Sequence, residues 1–87
     1  MSMSYNMRKE EQLRCFKELQ SILNEKKSVD KKQINKSVKK LARVLEEYLL
    51  INFNWENILR QARQLNGKQL EYFVERIAEL ALELDED

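Results

Sequence analysis

The chain of 87 residues has no histidine, no proline and no threonine, one glycine and one cysteine. Each absence closes off a class of protein. Without proline and with one glycine there is little turn chemistry for a β-sandwich, a barrel or a nucleotide-binding loop. Without histidine the commonest general base and the commonest neutral metal ligand are missing. A single cysteine makes no internal disulfide. No run of 18 apolar residues exists to span a membrane. The N-terminal Met1-Ser-Met-Ser-Tyr-Asn-Met lacks the basic-then-apolar order of a secretory signal. Together with the unpaired cysteine, this gives the expectation of a reducing, cytoplasmic setting.

What remains is charge and helical periodicity. The formal net charge of +1 conceals a split. Residues 1–43 hold 12 basic and 5 acidic residues, a net of +7. Residues 44–87 hold 4 basic and 10 acidic residues, a net of −6. The sequence is bipolar although the whole is nearly neutral.

Cap chemistry divides the chain. Asp30 followed by Gln33 reads as a capping box, with Val29 against Ile34 as its hydrophobic staple. Asn66 with Gln69, and Leu65 against Leu70, repeat the arrangement. Asn54 is a third cap, with Phe53 against Ile58. Gly67 either ends one helix in the left-handed region or opens the next, and a tight corner is expected there. Four helices follow. Helix 1 is expected at about 7–26, carrying Leu13, Phe16, Leu19, Ile22 and Leu23, with Glu10 and Glu11 near its start and Lys26 and Lys27 at its end to suit the macrodipole. Helix 2 is expected at about 31–51, with Ile34, Val38, Leu41, Ala42, Leu45, Tyr48 and Leu49 on one face. Helix 3 is expected at about 55–65, with Trp55, Ile58, Leu59, Ala62 and Leu65. Helix 4 is expected at about 68–84, with Leu70, Phe73, Val74, Ile77, Leu80, Ala81 and Leu84.

The expected fold is therefore all-α: a small, bundle-like four-helix domain of three longer helices and one short one. It spans residues 7–84, with an N-terminus of residues 1–6 expected to be disordered and an acidic tail at 85–87. Tyr5 is expected to precede helix 1.

Catalytic constellations fail. There is no phosphate-binding glycine loop, no C-x-x-C and no Glu-x-x-His pair for a di-iron bundle. Cys15 lacks a histidine to hold its thiolate and reads as a small buried hydrophobe. No enzyme, no cofactor, no metal and no small-molecule substrate is expected.

Binding is then the function left to explain, and three sets of residues are candidates. Lys32, Lys36, Lys39, Lys40 and Arg43 fall within about 100° of arc on helix 2, opposite its apolar face. Glu71, Glu75, Glu79 and Glu83 form an i, i+4 acidic row on helix 4. Val44, Leu50, Ile51, Trp55 and Leu82, together with Ala78, exceed or fall off the simple stripes. A short helix 3 crossing the bundle would cover that surplus; otherwise it belongs to an interface. Each charged row reads either as a solvated face or as a contact surface.

The expectation is a non-catalytic protein–protein interaction module, a homodimer or a small subunit or regulator of a larger assembly, with no membrane contact. The alternative is a nucleic-acid protein gripping phosphates through helix 2. That grip would be sequence-independent, because the stripe is nearly all lysine and no aromatic interleaves with it. A helix-turn-helix built from helices 3 and 4 fails, since the would-be recognition helix presents carboxylates to phosphates. No motif singles out a family.

Overall fold

Four amphipathic segments joined by short connections can satisfy their apolar faces only by packing side by side, and they do so. The computed structural model describes residues 5–26, 29–50 and 53–86, and side chains over 8–26, 29–50 and 53–83. Helix α1 is Tyr5–Glu25, α2 Lys31–Glu47, α3 Trp55–Gln64 and α4 Gly67–Glu86. No strand occurs among the described residues. Met1–Ser4 of the expected disordered N-terminus lie outside the described residues, as does Asp87 of the acidic tail. Tyr5 belongs to α1 rather than preceding it.

Long-range hydrogen bonds give the direction of each helix. Lys9 Nζ donates to the Tyr48 carbonyl at 2.9 Å, so the start of α1 lies at the end of α2. Lys26 Nζ donates to the Arg63 carbonyl at 2.8 Å, which places the ends of α1 and α3 together. Each lysine thus meets a carbonyl at a helix C-terminus, where the backbone lacks an intrahelical partner and the dipole is negative. Asp30 N–H donates to Glu71 Oε1, so α2 and α4 begin side by side and run parallel. The topology is up-down-up-down, with α2 packed chiefly on α4 and α1 on α3.

Of the three expected N-caps, those of Asp30 and Asn54 form through side-chain hydrogen bonds, whereas no such bond from Asn66 to the start of α4 is present among the described residues. Asp30 Oδ1 accepts from Lys32 N at 3.0 Å and Gln33 N at 3.4 Å. Asn54 Oδ1 accepts from Asn57 N at 3.1 Å. The capping box at Asp30 is completed differently from the expectation. The Asp30 amide is taken by Glu71 of α4, not by Gln33. A tertiary carboxylate thus fills the position that local sequence assigned to Gln33. At the α3–α4 corner Gly67 adopts φ 60°, a conformation that costs a residue with a Cβ. Only Leu65 and Asn66 separate the two helices, so the expected tight corner is present.

Four expectations are corrected. First, α2 ends at Glu47, not near residue 51. Tyr48 takes an extended φ −129° and ψ 150°, and two residues later Leu50 is buried. Second, the faces of α1 and α2 are rotated. Gln12 is buried at 6% exposure while neighbouring Leu13 is 38% exposed. On α2, Ser37 and Val44 are buried, while Val38 and Ala42 sit at the shoulder and Tyr48 is exposed. Third, on α4 Ala78 is buried at 1% and Leu80 is 39% exposed, an exchange of their expected roles. Parallel packing against α2 selects this face, because small Ala78 and Ala81 permit close approach. Fourth, α1 begins early enough that Glu10 and Glu11 fall beyond its first turn, and Lys26 lies past its end.

The core is otherwise the one the periodicity implied. Leu19, Leu41, Leu45, Leu70, Val44 and Val74 are fully buried at its centre.

Candidate functional site

The basic stripe is where the sequence puts it. Lys32, Lys36, Lys39, Lys40 and Arg43 are all exposed on α2. Two ion pairs form among the described residues, Arg63–Glu18 and Arg76–Glu79 at 3.2 Å, and neither involves the stripe. Lys39, Lys40 and Arg43 border a hollow of about 250 Å³ together with Leu82 of α4. The parallel packing of α2 and α4 builds this hollow. It gives an apolar floor with three cations around it.

The acidic row is split by the same packing. Glu71 and Glu75 are half-buried beside α2, and Glu71 is occupied by the Asp30 amide. Glu79 and Glu83 are exposed on the outer side of α4. Tyr72 at 70% exposure and Leu80 at 39% share that outer region. Basic and acidic rows therefore lie on adjacent helices of one chain and face different ways.

The apolar set is mostly consumed within the fold. Val44 is 1% exposed, Leu50 5% and Trp55 8%, so these three side chains cover the chain's own core. Val44 and Ala78 are buried on α2 and α4, which pack chiefly on each other, and Leu50 is buried beyond the end of α2, where it lines a groove with Trp55 and Leu59 of α3. Leu82 remains half-exposed at the hollow. Ile51 lies outside the described residues. Among the described residues, the large apolar side chains left exposed are Leu13, Tyr48, Tyr72 and Leu80.

A second concavity lies between α1 and the start of α3. It encloses about 460 Å³ and is lined by Arg8, Gln12, Cys15, Leu50, Phe53, Trp55 and Leu59, with Glu11, Asn54 and Glu56 completing it. Gln12 Oε1 accepts the Leu50 amide at 3.3 Å and so ties the extended segment to α1. Phe53 meets Trp55 edge-to-face, with ring centroids 5.6 Å apart at 70°. Trp55 Nε1 is buried without a hydrogen-bond partner. Helical spacing alone does not disclose this groove. Its one available signal was Gln12, a polar residue four positions before Phe16 on the buried face.

Titration adds little chemistry. Burial pushes the Cys15 thiol up, with Glu11 and Glu18 adding to the effect and Arg14 opposing it. Cys15 is partly buried against the core, in keeping with a packed hydrophobe. Burial lowers Lys9, and Glu46 acts in the opposite sense. Among the described residues, no group of three Cys, Asp or Glu side chains could hold a metal ion. No helix among them is long and apolar enough to cross a membrane. Compared with family models, curated proteins and solved structures, the chain matches none.

Proposed function

We propose that this chain is a non-catalytic protein-interaction module that associates with a second copy of itself. In this contact the outer face of α4 meets the cationic face of α2 on the neighbour. The observation that carries the reading is the hollow of Lys39, Lys40, Arg43 and Leu82, whose cations form no ion pair among the described residues. A partner suited to it carries carboxylates beside an apolar side chain. The outer side of α4 offers that combination in Glu79, Glu83 and Leu80. Charge complementarity would set register and encounter rate, while burial of Leu80, Tyr72 and Leu82 would supply affinity. A reciprocal contact closes a dimer; a head-to-tail contact propagates.

The test is sedimentation velocity at micromolar concentration in low and high salt. Self-association that weakens with salt is expected, because exposed charges are screened within about 8 Å at physiological ionic strength. The Lys36→Glu, Lys39→Glu double variant and the Glu79→Lys, Glu83→Lys double variant should each associate less. Mixing the two should restore a heterologous complex. A monomer at every salt concentration, or no recovery on mixing, rejects the reading.

A second reading rests on the five exposed cations along α2: sequence-independent binding to a nucleic-acid backbone. It predicts salt-sensitive binding of arbitrary duplex and single strands at low salt, abolished by Lys36→Glu with Lys39→Glu. The two readings separate at Glu79→Lys, Glu83→Lys, which impairs self-association but does not weaken phosphate binding.

A further inference from the structure

The hollow between α2 and α4 concentrates positive charge against an apolar surface. Its lining is Lys39, Lys40 and Arg43 of α2 and Leu82 of α4, and it encloses about 250 Å³. At roughly 30 Å³ per water this is room for about eight waters, the space of a single ring with a small head group. No carboxylate belongs to the lining. Glu79, on the outer side of α4, pairs with Arg76 at 3.2 Å, and the other ion pair among the described residues joins Arg63 to Glu18. Lys32 and Lys36 continue the stripe but do not border the hollow. The three cations differ in kind. Arg43 offers a planar fork that grips two oxygens of an oxyanion, while the lysines offer point charges on flexible stems that swing over the opening. A net of +3 exceeds what a single carboxylate neutralises. It suits a phosphate monoester, which carries close to two negative charges at pH 7 and three strong acceptor oxygens.

We infer that this hollow is a binding site for a small phosphate monoester with an apolar, ring-sized body. Arg43, Lys39 and Lys40 hold the phosphate oxygens, and the body lies on Leu82. The ligand site needs no second copy of the chain. A regulatory step follows from it and rests on the self-association reading: a bound monoester occupies the surface that Glu79 and Leu80 of a neighbour would use, and so releases the neighbour.

The experiment titrates the full chain with phenyl phosphate, inorganic phosphate and phenol, followed by NMR at the Leu82 methyl and Arg43 side-chain resonances. Phenyl phosphate should bind saturably and at least about fivefold tighter than inorganic phosphate, because part of its ring leaves water on Leu82. Phenol, which lacks the charge, should not saturate. Lys39→Gln and Arg43→Gln should each weaken phenyl phosphate at least about threefold. Lys32→Gln should weaken it much less, since Lys32 lies about 10 Å along the helix from Lys39 and its charge is screened at that distance. Leu82→Ser should remove the advantage of the ring. If that variant does not fold, the ligand comparison and the cation variants still decide. Absence of saturable binding, equal affinity for phenyl and inorganic phosphate, or a loss in Lys32→Gln as large as in Lys39→Gln overturns the site. Sedimentation velocity on the same samples separates the two readings. A chain that is monomeric throughout yet binds phenyl phosphate keeps the site and rejects self-association. A chain that self-associates and does not bind phenyl phosphate does the reverse. Saturable binding that leaves the associated fraction unchanged rejects the regulatory step.

Discussion

Gln12→Leu is the most informative single change to the fold. Gln12 is buried in α1, and its side-chain oxygen accepts the Leu50 amide at 3.3 Å. Leu50 lies beyond the end of α2, outside any helix, and its N–H is satisfied by Gln12 instead of by a helical carbonyl. Leucine has nearly the volume of glutamine, so the substitution removes the acceptor while leaving the space filled. The Leu50 amide is then buried without a partner, at a cost of about 1–3 kcal/mol. Burying leucine in place of an amide returns part of this, leaving a net loss of ~1–2 kcal/mol. A domain of this size has a total stability of about 4–13 kcal/mol, so the loss is measurable. It corresponds to a fall in Tm of about 4–16 °C. Thermal and urea unfolding followed by far-UV circular dichroism measure the stability. Hydrogen exchange at the Leu50 amide locates the effect, since that amide should exchange faster while those of Leu41 and Leu45 keep their relative protection. A Gln12→Leu chain as stable as the parent, with Leu50 still protected, would refute the assignment of Gln12 as the tie between α1 and the extended segment.

Three further outcomes are expected. Gly67→Ala forces a Cβ into φ 60° and should destabilise the chain by ~1–2 kcal/mol in urea unfolding, with Gly67→Asn milder. Glu71→Ala removes the acceptor of the Asp30 amide and should cost about 1 kcal/mol, whereas Glu71→Gln, which keeps an acceptor oxygen, should cost less; equal losses would count against the tertiary cap. Cys15 is raised by burial and by Glu11 and Glu18, so it holds its proton longer in the folded chain than in the unfolded one. Its stabilising contribution is complete below the ordinary thiol pKa and is lost as pH rises towards the folded value. Iodoacetamide should therefore react with folded Cys15 more slowly than with the urea-unfolded chain, with its pH midpoint displaced upward.

Much of this molecule is determined by its sequence. The lack of proline and the 3.6-residue spacing of apolar residues dictate four helices, because each segment has one apolar face and no competing alternation. Asp30 and Asn54 start helices through contacts with amides two or three residues away, which makes them readable from local order. The basic stripe of Lys32 to Arg43 is also legible, since residues on the exposed side of a helix are placed by the helix alone.

Tertiary structure decided what depends on partners distant in the chain. Periodicity gives the width of an apolar stripe but not its rotation, and the neighbour's shape chooses the rotation. Thus Ala78 and Val44 went inside where α2 and α4 approach closely, and Leu80 and Leu13 came out. The end of α2 was decided in the same way: the Leu50 amide gains its partner from Gln12 of α1, 38 residues earlier. The two opposite charge rows were visible as residues, but their orientation was not. Parallel packing half-buries Glu71 and Glu75 and leaves Glu79 and Glu83 outward, because it is the helix beside them, not their own spacing, that removes water.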